Sequence, residues 1–113
     1  MSAAVDTGEW VAIGPLDAIP RRGARTVETP DGPVAVFRTA DDTVFAVADH
    51  CPHQGGPLSQ GIVSGAAVYC PLHDWCIELA TGRARAPDEG STPRYPVTVE
   101  GGTIHLRLTP EAS

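Results

Sequence analysis

The chain has 113 residues, of which 42% are hydrophobic, and a formal net charge of −6. This length fits one domain with a modest core, and the acidic balance argues against binding to nucleic acid or to an anionic membrane surface. No apolar stretch approaches the ~20 residues that a membrane-spanning helix needs, and the N-terminal residues lack the pattern of a secretory signal. We therefore expect a cytoplasmic protein.

The predicted elements are short β-strands. Eleven prolines and twelve glycines divide the chain into short pieces, and these pieces are rich in β-branched and aromatic residues, which is typical of an all-β domain. In chain order, the predicted strands cover residues 9–13, 25–28, 33–38, 44–48, 61–63, 67–70, 77–79, 97–100 and 103–108. One helical turn is expected at 16–19, and 83–95 is expected to be a loop. Trp10 is expected to be a core residue of the first strand.

Alternation of side chains is clearest in the strands at 33–38 and 44–48. Residues 34, 36 and 38 are predicted to face away from 35 and 37, and residues 44, 46 and 48 away from 45 and 47. Gly101-Gly102 predicts a tight hairpin turn. The expected organisation is a flexible tail at 1–8, one antiparallel β domain at 9–108 and a second tail at 109–113.

Two short runs combine cysteine and histidine. They are Cys51-Pro52-His53 and Cys70-Pro71-Leu72-His73. Soft thiolate and borderline imidazole ligands select iron–sulfur, zinc or copper over hard cations such as magnesium. Cys51, His53, Cys70 and His73 are therefore the candidate metal ligands.

Residues beside the candidate ligands would form the surroundings of the metal group. Gly55 and Gly56 allow the backbone to come close and to direct amide N–H groups at a sulfide. Leu58, Leu72 and Trp75 would limit access of water.

Other cysteine and histidine residues are assigned structural roles. The chain has three cysteines, which cannot all pair, so a disulfide framework is not expected. Cys76 is expected to pack as a small hydrophobic side chain in a strand, and His50 to lie in a surface loop.

Besides an iron–sulfur centre, the two Cys/His runs have two other interpretations: a structural zinc site, and loops that bind no metal. Zinc sites of the Cys₂His₂ type place like ligands together, as C-x₂₋₄-C and H-x₃₋₅-H, whereas each run here is mixed. The second alternative is a pair of loops that bind no metal.

No catalytic motif accompanies the candidate ligands. The sequence lacks a nucleophile arrangement that spares the ligands, a G-x-G-x-x-G after a strand, and a phosphate-binding loop. This predicts a protein that passes electrons and has no catalytic residues of its own.

The C-x-H…C-x-x-H order resembles the ligand pattern of a Rieske [2Fe–2S] centre, in which two cysteines bind one iron and two histidines the other. The resemblance implies an all-β, antiparallel Rieske-type sandwich or barrel with two cluster-binding loops, 51–58 and 70–75, at one end. It also implies one [2Fe–2S] cluster per chain, held by Cys51, His53, Cys70 and His73.

A closer resemblance covers residues 10–108. The runs CPHQGGPLSQGIV (51–63), CPLHDW (70–75), LATG (79–82) and PVTV (96–99) are similar to the small subunit of assimilatory NAD(P)H-dependent nitrite reductase. This implies a partner large subunit that carries FAD and siroheme and reduces nitrite to ammonium. The main alternative is the Rieske ferredoxin of an aromatic-ring dioxygenase, whose partners would be the oxygenase and its reductase. A zinc-stabilised interaction module is the third.

Two features of high-potential Rieske proteins are missing from this sequence. The cysteines that those proteins join as a disulfide between the loops are replaced here by Gly56 and Leu72. The serine that donates a hydroxyl to a sulfide is replaced by Trp75. We therefore expect a reduction potential near the low end of the Rieske range.

Overall fold

The computed structural model describes residues 10–30, 32–50, 56–71, 75–85 and 90–107. Within these ranges the chain forms ten strands and two short 3-10 turns. The strands are β1 (Trp10–Pro15), β2 (Gly23–Thr29), β3 (Gly32–Arg38), β4 (Val44–Ala48), β5 (Ile62–Ser64), β6 (Ala67–Tyr69), β7 (Cys76–Glu78), β8 (Arg94–Tyr95), β9 (Val97–Glu100) and β10 (Thr103–Arg107), and the turns are Leu16–Ala18 and Leu58–Gln60.

The strands form three antiparallel sheets. Their strand orders are β1-β10-β9, β2-β3-β4-β8 and β5-β6-β7. The predicted all-β, antiparallel fold class is therefore confirmed. No helix in the described ranges is long and apolar enough to cross a membrane.

The two faces of the four-stranded sheet are covered by different groups of side chains. Ala35, Phe37 and Val47 belong to one buried cluster, while Val34 and Val36 belong to the other. The predicted alternation in β3 and β4 is confirmed. In β3 both faces are buried, however, so that this strand has no solvent-facing side from Val34 to Arg38.

The other two sheets supply the opposite walls of these clusters. Val63, Val68 and Ile77, from β5, β6 and β7, pack with the Phe37 cluster. Ile104 and Leu106, from β10, pack with the Val34 cluster. The four-stranded sheet thus lies between the other two, and Cys70, the first residue of the second Cys/His run, directly follows β6 of the small β5-β6-β7 sheet.

Several local predictions are confirmed and two are corrected. A 3-10 turn forms at Leu16–Ala18, and Gly101 and Gly102 both have positive φ, as a tight hairpin turn requires. The segment predicted as a loop contains β8, in which Tyr95 is buried and pairs with Ala46.

Trp10 is the second correction. The sequence predicted it as a core residue of the first strand, but its side chain is 41% exposed. The guanidinium carbon of Arg107 lies 5.1 Å from the centre of its ring, a cation–π geometry. Trp10 and Arg107 are paired in the β1–β10 register, so the contact forms on the outer surface of that sheet.

Candidate metal centre

Of the four predicted ligands, Cys70 lies within the described residues. It directly follows β6, its side chain is 2% exposed, and its thiol is free. Its neighbour Cys76 is also free, but lies in β7 and is half-buried. The predicted site residues outside the described ranges are Cys51, His53, Gly55, Leu72 and His73.

The second loop closes a hairpin between two paired strands. Tyr69 and Cys76 are register partners in β6 and β7. One step further out, the backbone amide of Cys70 donates a hydrogen bond of 2.7 Å to the carbonyl oxygen of Trp75. Residues 70 and 75, the predicted limits of this loop, are therefore held together by the backbone.

The first loop connects two different sheets. It leaves β4 in the four-stranded sheet and reaches the Leu58–Gln60 turn, which leads into β5 of the small sheet. Gly56 and Leu58, at its C-terminal end, are buried. The two ends of this loop are thus attached to two different sheets.

The ends of the two loops meet in one buried cluster. Leu58 and Cys70 are members of the Phe37 cluster, and Trp75 packs against it. The side chains predicted to shield the metal group, Leu58 and Trp75, therefore lie on the same part of the core as the Cys70 thiol. Gly56 is also buried.

These residues fit an iron–sulfur group. A buried cysteine without a disulfide partner can supply a thiolate ligand, and apolar side chains around it limit solvent exposure, one of the factors that tune a cluster's potential. Among the described residues no three His, Cys, Asp or Glu side chains form a metal-binding group. The reason is that Cys51, His53 and His73 lie outside the described ranges.

Two further residues lie beside the loops. His50, next to Cys51, is exposed, as expected for a surface position. Asp49 is half-buried, and its carboxylate accepts hydrogen bonds from the backbone amide and the hydroxyl of Ser59. Neither Asp49 nor Ser59 was singled out from the sequence. Their positions just before and just after the first loop were the available signal.

Comparison with known families matches residues 9–96 to the Rieske [2Fe–2S] domain. The chain belongs to the Rieske [2Fe–2S] domain family. The cofactor of this domain is a [2Fe–2S] cluster, and the chain is a Rieske electron-transfer protein. The resemblance carried by the two Cys/His runs is confirmed at this level.

Two curated relatives of similar length are ferredoxin subunits of dioxygenases. The chain is 32% identical over 101 residues to the anthranilate 1,2-dioxygenase ferredoxin subunit of Burkholderia cepacia, covering 88% of this chain and 93% of that one. It is 38% identical over 99 residues to the 3-phenylpropionate/cinnamic acid dioxygenase ferredoxin subunit of Photorhabdus laumondii, covering 85% and 91%.

Solved structures of two kinds share the fold. A protein described as the small subunit of an NADH-dependent nitrite reductase from Mycobacterium tuberculosis superposes with a TM-score of 0.79 at 27% identity, covering 93% of this chain and 96% of that one. A chain from the oxygenase–ferredoxin complex of carbazole 1,9a-dioxygenase has a TM-score of 0.81 at 23% identity, covering 92% and 97%. The second likeness concerns the fold alone.

Proposed function

We propose that Cys51, His53, Cys70 and His73 bind one [2Fe–2S] cluster per chain. The single observation that carries the proposal is the buried, unpaired Cys70 thiol at the point where the ends of both loops meet. The bound cluster would supply a one-electron redox couple. The role of the chain is to hold it, to shield it with Leu58 and Trp75, and to present it at the end of the domain.

The two histidine ligands are the ones proposed to face the redox partner. Imidazole on iron keeps a second ring nitrogen that can exchange a proton at accessible pH. We assign His53 and His73 to the side of the site from which electrons leave, because the two cysteines would hold the other iron and the Cys70 thiol is buried in the core.

The two free cysteines provide a matched test of the ligand set. Cys70→Ser is expected to abolish the visible absorption and the iron content of the purified protein. Cys76→Ser, which alters a half-buried thiol six residues further along, is expected to retain both. Equal cluster content in the two variants would contradict the role of Cys70.

The partner is proposed to be the oxygenase component of a Rieske-type oxygenase system. Support comes from identities of 32% and 38% to dioxygenase ferredoxin subunits whose own lengths are matched to 93% and 91%. In this role the chain accepts an electron from a reductase and delivers it to the oxygenase. It contributes no catalytic residue to either partner.

A nitrite reductase large subunit is the second candidate partner. It is favoured by the CPHQGGPLSQGIV and CPLHDW runs and by the likeness to the Mycobacterium tuberculosis protein at 27% identity. In that complex the chain would relay electrons toward the siroheme that reduces nitrite to ammonium. The sequence runs favoured this partner, whereas the identities of 32% and 38% over most of the chain favour the oxygenase.

Reoxidation of the reduced protein distinguishes the two partners. The dithionite-reduced protein is mixed with the oxygenase or with the siroheme reductase of the same organism, and recovery of the oxidised visible spectrum is followed by stopped flow. We expect rapid recovery with the oxygenase and not with the siroheme reductase. Rapid recovery with the siroheme reductase and not with the oxygenase would contradict the oxygenase assignment and support the second candidate.

A further inference from the structure

Asp49, a residue between β4 and the first loop, is hydrogen-bonded to three other parts of the chain. Its backbone amide donates a hydrogen bond of 2.9 Å to the carbonyl oxygen of Pro33. One carboxylate oxygen accepts from the backbone amide of Ser59 at 2.7 Å, and the other from the Ser59 hydroxyl at 2.8 Å. The Thr26 hydroxyl lies 3.3 Å from that second oxygen. Asp49 is thus fixed to β2, to the start of β3 and to Ser59.

The bonds to Ser59 join the two ends of the first loop. Asp49 is two residues before Cys51, and Ser59 directly follows Leu58, the last residue of the loop. The segment between them carries Cys51 and His53. The loop is therefore closed at its base by one carboxylate.

The Asp49–Ser59 contact also gives a hydrogen-bond acceptor to a backbone amide in the first residues of the Leu58–Gln60 turn. Ser59 is in the Leu58–Gln60 turn, and Pro57, at the position before this turn, makes no side-chain capping bond. The first N–H groups of a helical turn have no partner within the turn. Asp49 supplies that partner from ten residues away, and a bond to a carboxylate is stronger than one between neutral groups.

We propose that Asp49 and Ser59 are a positioning pair for the cluster and set how firmly the first loop holds it. This inference rests on the proposed ligand set. Closing a loop at its base reduces the conformations open to the residues within it, so Cys51 and His53 would be held ready for the metal. Groups that hydrogen-bond metal ligands directly change metal affinity by about 10–100-fold, and we expect the lower end of that range for a pair that acts through the loop.

The chain offers a matched control in the turn between β3 and β4. Asp41 also accepts from a hydroxyl, that of Thr39, and from a backbone amide, that of Thr43 at 3.4 Å. This turn precedes β4, whereas Asp49 follows it, so the two carboxylates are separated by a five-residue strand, or about 17 Å. Asp41→Asn removes the charge of a similarly bonded carboxylate far from the proposed ligands.

The experiment compares cluster loss among variants of the cluster-containing protein. Asp49→Asn, Ser59→Ala, Ser59→Thr and Asp41→Asn are exposed to an iron chelator at neutral pH, and the decay of visible absorption is timed. The reduced-state EPR spectrum and the thermal midpoint are recorded for each. Ser59→Ala keeps the backbone amide bond, so it decides the question if Asp49→Asn does not fold.

We expect Asp49→Asn and Ser59→Ala to lose the cluster about tenfold faster than the wild type, with broadened EPR lines. Ser59→Thr restores the hydroxyl and should recover the wild-type rate, and Asp41→Asn should match the wild type. Cluster loss at the wild-type rate in Ser59→Ala, or equal acceleration in Asp41→Asn, would overturn the inference while leaving the ligand set intact. Wild-type protein that carries no iron would overturn both.

Discussion

The backbone amide of Cys70 and the carbonyl oxygen of Trp75 are joined by a hydrogen bond of 2.7 Å. This bond brings together the first and last residues of the second loop, and both residues pack in the cluster that contains Leu58, from the end of the first loop. The loop ends are therefore part of the core. Changes in this core should affect the stability of the domain and the retention of its cofactor together.

Leu58→Ala tests this connection. Leu58 is completely buried, and truncating a buried leucine costs about 2–5 kcal/mol of unfolding free energy. We expect that loss in urea titrations, together with faster bleaching of the visible absorption. Ile62→Ala is the control, because the Ile62 side chain is 72% exposed and its truncation should change stability by at most about 0.5 kcal/mol. Similar losses in both variants would contradict a core role for Leu58.

Gly82 is expected to tolerate no side chain. Its φ is +76°, and a Cβ placed on it would lie 2.3 Å from the carbonyl oxygen of Thr92. Gly65 has φ +58° with nothing within 4 Å of a Cβ, so Gly65→Ala should cost about 1–2 kcal/mol from backbone conformation alone. Gly82→Ala should cost about 1–3 kcal/mol more because of the added steric conflict. Equal thermal midpoints for the two variants would show that the contact is relieved elsewhere.

Asp42 is expected to stabilise the domain above acidic pH. The hydrogen bond from Arg21, with a further contribution from Arg38, lowers the pKa of Asp42 from 3.8 to about 2. Because the folded-state pKa is below the unfolded one, the stabilisation is complete above about pH 5 and is lost as the pH falls toward 2.

Asp42→Asn should therefore lower the urea midpoint at pH 7 and reduce the difference between the midpoints at pH 7 and pH 3. Asp17→Asn is the control, because the Asp17 side chain is 96% exposed and 3.9 Å from Arg38, and exposed ion pairs contribute little. An Asp42→Asn variant with the same pH dependence as wild type would contradict the assignment.

The reduction potential is expected near −150 mV, the low end of the Rieske range. Gly56 and Trp75 occupy positions where high-potential proteins have a bridging cysteine and a serine, and neither residue can supply a disulfide or a hydroxyl. Fewer hydrogen bonds to the cluster leave its reduced form less stabilised. A midpoint above about +150 mV in a spectroelectrochemical titration would contradict this expectation.

Strand positions and facing could be predicted because the alternation in residues 33–38 and 44–48 is regular. Burial of both faces of β3 could not be predicted, since it depends on which other sheets pack on this strand. Arg94–Tyr95 was missed because Pro93 and Pro96 flank it and a two-residue strand has no period to detect. Trp10 was placed in the core on residue type alone, whereas its partner Arg107 is distant in sequence.

The ligand residues could be predicted because thiolate and imidazole are rare and their spacing is specific. The contacts that hold the ends of the loops in place could not be predicted from the sequence. The Asp49–Ser59 contact joins residues that have no ligand chemistry of their own, and the Cys70–Trp75 bond involves backbone atoms. Both depend on how the sheets are arranged around the loops.

Metal, sulfide and EPR analysis of anaerobically purified protein tests the central claim most directly. We predict two irons and two acid-labile sulfides per chain, with a rhombic EPR signal that appears on reduction. A colourless protein that contains one zinc and no sulfide would contradict it.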